Sequence, residues 1–380
     1  MRSLEIWLGA YLRQRLRLRP GPARGTRRHL IFCVVDHFEP VAHPRSSVAQ
    51  ERERMRTWTA LYPALARRHH DSDGLPVQHT WFYPGEAYRA EYLDGLSDMC
   101  RSGLGEIELH LHHGHDTPAS LRGRLADALE NFNRHGALIT QGDPPVRTYG
   151  FIHGNLALDN SMADSALCGV NDELQILQEA GCYADFSMPT APAQSQTRTI
   201  NSIYYAPDDH DVPKSHDTGT DVEVGKKNAG GLLVVQGPLA LDWRRRKFGL
   251  LPRIDNAEIS GSYPATPARL KRWARMHIHV RGRPEWVFVK VSCHGAEERH
   301  FDALLGGGAE RMYASLEARF RDRRDWRLHY VTARELYNII KAAEAGHGGN
   351  PGEFRNFLIS PYRNQPAARP ERSEHRAQPV

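Results

Sequence analysis

Residues 105–117, GEIELHLHHGHDT, place four histidines among the six residues from His110 to His115, behind an acidic and apolar run. Imidazoles ligate divalent metals and pass protons near neutral pH. On an extended strand, His110 and His112 project to the same side because side chains repeat every two residues. His113 and His115 fall in the loop beyond, from which one of them can turn back toward a metal. Glu106 and Glu108 share the parity of His110 and can support the ligands from behind. Three other stretches carry the same chemistry: Asp36-His37-Phe38-Glu39, His153-Gly154-Asn155 and His294-Gly295-Ala296. One acid with two or three histidines is the usual shell of a catalytic zinc or related divalent ion. The candidate ligands are therefore Asp36, His37 and His110, with His112 and His115 competing for the remaining position.

The elements that must position these groups are strands. Each polar stretch follows an apolar, strand-like run: His29–Asp36, Glu106–His112, Arg147–His153 and Trp286–His294. Further strand-like runs are Val77–Tyr83, Cys182–Met188, Gly231–Gln236 and Arg327–Val331. Helical patterns lie between them, over Glu51–His69, Arg89–Gly103, Ser120–His135, Asp172–Gly181, Thr266–Met276 and Phe301–Phe320. Thr332-x-x-Glu335 reads as a capping box opening a last helix to about Ala345. Strand-then-helix units imply parallel strands with helical crossovers, and seven or eight of them predict an α/β barrel. In such a barrel all strand C-termini open on one face, so the acids and histidines converge on one mouth. Residues 1–27 form a basic amphipathic helix and linker, 28–345 the barrel, and 346–380 an extension expected to be disordered from about 364. Residues 190–230 and 237–265 are expected to be long, irregular insertions on the barrel face.

The 380 residues carry a net charge of only +5, concentrated in the first thirty residues, around 243–253 and in the tail. No basic and aromatic residues interleave as they do in single-strand binders, so nucleic acid is not an expected partner. Twenty-one histidines favour a metal or hydrolytic enzyme. The five cysteines are scattered and without CxxC spacing, which argues against a disulfide framework and for a reducing, cytoplasmic setting. Leu4, Leu8, Leu12 and Leu16, with Trp7, Tyr11 and the arginines to Arg19, predict an amphipathic helix and not a signal peptide. Two placements fit it: through residues 4–19 on the anionic inner face of a membrane, or packed on the domain or a partner. The Trp243–Arg253 segment, with Arg245, supplies cations for an anionic substrate, or else is a solvated loop. Asn155 and Asp159 follow the fourth strand, where polar residues bind sugar hydroxyls or simply form turns. With His153, Arg245 and Lys290 they make up the candidate substrate-binding set.

Three segments, Cys33–Pro40 (CVVDHFEP), Glu106–His115 (EIELHLHHGH) and Lys290–Gly295 (KVSCHG), resemble motifs of the polysaccharide deacetylase (NodB-homology) family. The strand-to-helix turn Tyr330–Leu336 is also similar, and the resemblance spans roughly residues 28–345. It implies a distorted (β/α) barrel of about seven strands and a divalent metal, Zn2+ first, with Co2+, Ni2+ or Mn2+ as alternatives. It also implies hydrolysis of an N- or O-acyl group from a carbohydrate in bacterial glycan or exopolysaccharide metabolism. The family's paired aspartates supply one base and one ligand, whereas this chain has Asp36 alone between Val35 and His37. If Asp36 matches the ligand, Val35 has replaced the base; if it matches the base, His37 has replaced the ligand. Glu39 is the alternative catalytic carboxylate, and His294 takes the place of the general acid. The family's His-x-x-x-His spacing is broken by Gly114, and its Arg-x-Pro-Tyr pattern is replaced by Phe151–Asn155. Two other functions stay open: hydrolysis of another C–N or glycosidic bond on the same barrel, and a non-catalytic glycan-binding or scaffold role in which Val35 marks the lost base.

Overall fold

The computed structural model describes residues 3–16, 25–41, 46–141, 146–227, 230–360 and 362. Runs such as Leu30–Val35 offer water no polar side and are buried on both faces, as parallel strands under helical layers are. Among the described residues eight main strands run parallel, with the two-residue Glu258–Ile259 as a ninth: β1 (Arg28–His37), β2 (His79–Pro84), β3 (Gly105–Leu111), β4 (Val146–His153), β5 (Cys182–Asp185), β6 (Leu232–Val235), β7 (Trp286–Cys293) and β8 (Trp326–Val331). β1 is the centre. One edge pairs with β7 from His29 to Asp36; the other is shared by β8 over Arg28–Cys33 and β2 over Val35–His37. From β2 the order continues β3, β4, β5, β6. The protein is thus a mixed α/β fold around a large, mostly parallel sheet of 12 strands.

The remaining strands correct the expected insertions. Within 190–230, Ile203–Ala206 pairs antiparallel with β6 and Thr220–Asp221 with Ile203–Ala206. Within 237–265, Ala240–Lys247 and Leu251–Asp255 form a separate antiparallel hairpin, and Glu258–Ile259 joins the outer edge of β7. Ile139–Gln141, absent from the expected elements, runs antiparallel to β4. The helices follow the sequence signals, with shifted ends. Ser47 and Gln50 form a capping box that starts the first crossover helix at Val48. The helix expected over 301–320 is broken at Gly306 into Phe301–Leu304 and Gly307–Phe320. Thr332 and Glu335 cap Ala333–Glu344 reciprocally, as their spacing predicts.

Strand parity sorts the core into two layers. Leu30, Phe32 and Val34 pack with Trp58, Leu96, Leu125, Trp273 and Leu316 of the crossover helices. Ile31, Cys33 and Val35 face the other way, with Phe82, Ile152 and Val235, and meet Leu336, Ile339 and Ile340 of the last helix. We call this second side the inner face. The N-terminal helix Leu4–Leu16 joins it by burying Trp7 and Tyr11, and Gln14 Nε2 donates to the Ile200 carbonyl at 2.6 Å. Its packing on the domain is one of the two expected placements; Leu12 and Leu16 stay exposed, and residues 17–19 lie outside the described residues. Among the described residues no helix is long and apolar enough to cross a membrane. The expected disorder from about 364 also falls outside them. The five cysteines are free and buried.

Glu106 and Glu108 do not support metal ligands. Glu108 accepts from Tyr183 Oη (2.7 Å), the Gly150 amide and Arg334 (Nη2, 3.0 Å), while Glu106 accepts from Thr332 Oγ1 (2.7 Å) and the Tyr362 amide (3.0 Å). They fasten the last helix under the sheet. Burial, outweighing the neighbouring Arg334, pushes the Glu106 carboxyl up to about 7. The unfolded chain keeps that proton only below about 4.5, so between 4.5 and 7 the folded chain binds more protons and stability falls as pH rises. The effect is worth roughly 3 kcal/mol in all. Glu106→Gln should flatten this part of the pH profile in urea unfolding; an unchanged slope would assign the titration elsewhere.

Candidate active site

The strand ends deliver a cluster of imidazoles around one carboxylate. On β1, His37 follows Val35 on the inner face. On β3, His110 lies one pleat beyond Glu108, opposite Pro84 of β2. Past β7, His294 continues the inner parity of Lys290 and Ser292. Glu39, just after β1, closes the group. Its Oε1 accepts from His110 Nε2 at 2.8 Å and lies 3.4 Å from His112 Nε2. His37 stacks on His294 with ring centroids 4.7 Å apart and stands edge-on to His110 at 4.9 Å. Donor atoms of Glu39, His110 and His112 lie within 4.8 Å of one another, and so do those of His37, Glu39 and His294. His37 and His110 are buried, whereas the side chains of His112 and His294 are about one-third exposed, at 34% and 35%. The cluster therefore opens to solvent on one side.

The electrostatics suit cation binding at Glu39, His37 and His110, whereas His112 must give up a proton to ligate. Burial opposes the charge of Glu39, but hydrogen bonds from His110 and His112 outweigh it and hold the carboxyl well below the usual carboxylate range. Burial lowers His37, with His294 and His110 adding to the effect, and lowers His110 despite Glu39. Both are thereby kept in the neutral form that ligates metals. His112 is partly buried, which lowers it, but hydrogen bonds to Glu39 and Glu86 raise it to about 10. Glu86 Oε1 accepts from His112 Nδ1 at 2.6 Å, the carboxylate–imidazole pairing that orients metal-binding histidines from behind. Buried His110 Nδ1 has no hydrogen-bond partner. One carboxylate and up to four imidazoles fit a zinc-like ion.

The other expected site residues lie elsewhere. Asp36 has the opposite parity to His37 and points to the outer layer. It is fully buried; Oδ2 accepts from His79 Nε2 at 2.9 Å and Oδ1 from the Gly295 amide at 2.6 Å. A Cβ on Gly295 would lie 2.1 Å from Asp36 Oδ2, so only glycine fits there. Asp36 thus holds the loop that carries His294. His115 is exposed in the loop past β3 with a left-handed backbone (φ 52°), so of the two competing residues His112 is the one beside Glu39 and His110. His153 is buried on the outer face, with its ring 4.4 Å from that of His113. Asn155 Nδ2 donates to the His113 and Leu167 carbonyls at 2.7 and 3.1 Å, tying two loops together. Asp159 is buried and accepts from the Ser215 amide; burial, then Asp208 and Glu173, push its carboxyl up to about 9. Lys290 is buried and its Nζ donates to the Phe186 and Met188 carbonyls, so it bolts strands rather than meeting substrate.

Arg245 lies apart from the imidazoles, on the 240–255 hairpin. It is exposed on the hairpin and lines an open pocket of about 510 Å³ with Arg246, Arg253, Asn256 and Glu258. Glu258 also lies 3.9 Å from His294 Nδ1, so this pocket adjoins the imidazole cluster. Sequence reasoning missed Glu86 and Glu258. Glu86 carried a readable signal, an acid two residues past a strand end; Glu258 lay in a segment read as irregular. No protein-family model matches the chain, and no curated protein matches it either.

The separation of Asp36 from Glu39 is testable. Asp36→Asn should cost about 1–3 kcal/mol, because it removes an acceptor from buried donors, yet leave the metal content of purified protein unchanged. Glu39→Gln should do the reverse. Metal lost from Asp36→Asn at full stability would reinstate Asp36 as a ligand.

Proposed function

We propose that the protein is a metal-dependent hydrolase that removes an acyl group from an anionic carbohydrate, on a distorted barrel of the polysaccharide deacetylase type. The observation that carries this reading is the convergence of His37, His110, His112 and His294 on Glu39 at parallel strand ends, next to an arginine-lined pocket. Barrel closure is supported by contacts between the far strands. Gly237, just past β6, abuts the Lys290 carbonyl of β7 so closely that a Cβ would lie 2.5 Å from it, and Lys290 reaches the carbonyls past β5.

Glu39, His110 and His112 would hold the ion, with His37 at its flank and Glu86 orienting His112. When bound, the metal supplies Lewis-acid polarisation of the acyl carbonyl and of the attacking water. His294 handles the proton. It reaches solvent, and Glu258 lies on its Nδ1 side, which leaves Nε2 for the reacting atoms. It accepts the proton released as water attacks and returns it to the departing sugar amine or hydroxyl. Asp36 takes no part in this transfer, since His79 and the Gly295 amide occupy its two oxygens. Arg245, Arg246 and Arg253 bind the substrate's anionic group as planar forks suited to carboxylate or phosphate.

Protein purified without chelators should carry zinc or a related ion at this cluster, His110→Ala should lower the metal content by one equivalent, and the protein should release acetate from acidic N- or O-acetylated sugars. His294→Ala should lower kcat by about 10²–10⁴-fold. Joint replacement of Arg245 and Arg253 by alanine should raise KM with little change in kcat. Bound metal without acetate release would point to a different C–N or glycosidic bond. Glycan binding indifferent to chelation would favour a non-catalytic scaffold.

A further inference from the structure

The histidine run has a second destination. His113 comes from the loop after β3, His153 ends β4, Cys168 lies in the loop that follows, and Glu173 opens the helix Glu173–Glu179. All four are buried, and their donor atoms lie within 4.8 Å of one another. His113 Nε2 is 3.0 Å from Glu173 Oε1, Cys168 Sγ is 3.4 Å from Glu173 Oε2, and His153 Nε2 is 3.9 Å from Glu173 Oε2. Donors around a tetrahedral ion with bonds of about 2.0–2.3 Å stand roughly 3.3–3.8 Å apart. The three spacings to the Glu173 carboxylate fall around that range, and all four donors lie within 4.8 Å of one another.

Two further observations point to a ligand. His153 Nε2 is a buried polar atom with no hydrogen-bond partner, and it faces this cluster. Such orphans are rare and costly unless something unseen satisfies them. Behind His113, Asp116 Oδ2 lies 3.2 Å from Nδ1 and Arg124 Nε donates to Oδ1 at 3.1 Å. Nδ1 and Oδ2 are close but not aligned for a hydrogen bond, and both are buried polar atoms left without a hydrogen-bond partner. The loops are shaped closely around the group: a Cβ on Gly114 would lie 2.1 Å from the Ala166 carbonyl oxygen.

We infer that His113, His153, Cys168 and Glu173 form a second, structural site for a zinc-like divalent cation, on the outer side of β3 and β4 and separate from the mouth. Two imidazoles, one thiolate and one carboxylate make a closed four-ligand shell with no position left for water, as structural zinc sites have. Binding would release the Cys168 thiol proton to solvent. The ion would pin the loop 155–172 and the Glu173–Glu179 helix to the ends of β3 and β4. This inference rests on the mouth only for the second equivalent counted in its test; the mouth cluster contains no cysteine, so the thiolate signal reports on this site and not on the mouth.

The test uses the full chain, stripped by chelation and reloaded with Co2+. Only a thiolate ligand gives a sulfur-to-cobalt charge-transfer band in the near ultraviolet. We expect that band in the unaltered protein, with two equivalents of metal bound. Glu39→Gln should retain the band and lose one equivalent, and Cys168→Ser should lose the band. Absence of the band in the unaltered protein would overturn the proposal whether or not the variant folds. A band that survives Cys168→Ser would also overturn it, and would direct attention to Cys293 beside Asp36 and His79.

Discussion

The arrangement depends on one buried guanidinium. Arg334 has no exposed surface, and its Nη2 meets Glu108 at 3.0 Å while its Nε lies 3.6 Å from Glu106. An arginine in such a place is tolerable only with charged partners and filled hydrogen bonds. The partners are the two glutamates of β3 that point inward ahead of His110. Their pairing draws the Ala333–Glu344 helix across the inner face, where Leu336, Ile339 and Ile340 complete an apolar layer. The lower part of that face is thereby closed and its polar residues consumed. What remains available on β1, β3 and β7 is the strand ends, and those carry His37, His110 and His294.

The histidine run then divides by geometry. His110 and His112 face Glu39; His113 turns to the outer layer and meets Glu173; His115 stays in solvent. The same alternation separates Ile152, inward, from His153, outward. Two carboxylate–imidazole clusters thus lie on opposite sides of the same strands. Burial opposes the charge of Glu173, but His153 and His113 outweigh it and bring the carboxyl down to about 2. In both clusters a single carboxylate is compensated by neighbouring imidazoles.

Much of the fold was legible because its signals are local. Apolar runs of strand length, the Thr332–Glu335 capping box and the strand–helix alternation all rest on neighbouring residues. The missed strands are held by antiparallel pairing, Ile203–Ala206 to Leu232–Val235 and the two arms of the 240–255 hairpin to each other, and the segments around them are rich in turn-formers. The site was legible as a set of strand ends but not as a set of directions. The opposite parities of Asp36 and His37 are plain in the sequence. Which parity faces the imidazole cluster depends on where the last helix packs, some 300 residues later. The meeting of His113 and Glu173 spans 60 residues and leaves no periodic trace.

Asp36 lies in the outer layer, under the loop that carries His294. A carboxylate sealed beneath Gly295, with both oxygens taken by donors, cannot exchange protons with a substrate. It can fix the loop that presents His294, because the Gly295 amide is one of those donors and Trp58 Nε1 holds the Gly295 carbonyl at 2.7 Å. Glu39 lies three residues further on, past the end of β1, where its side chain keeps 16% of its surface exposed and touches two histidines. An acid at a strand end can therefore be the scaffold of a site, while the next acid along the chain bears its charge. Spacing from the strand end decides which is which: parity carries the first into the outer layer, and leaving the strand frees the second to turn inward.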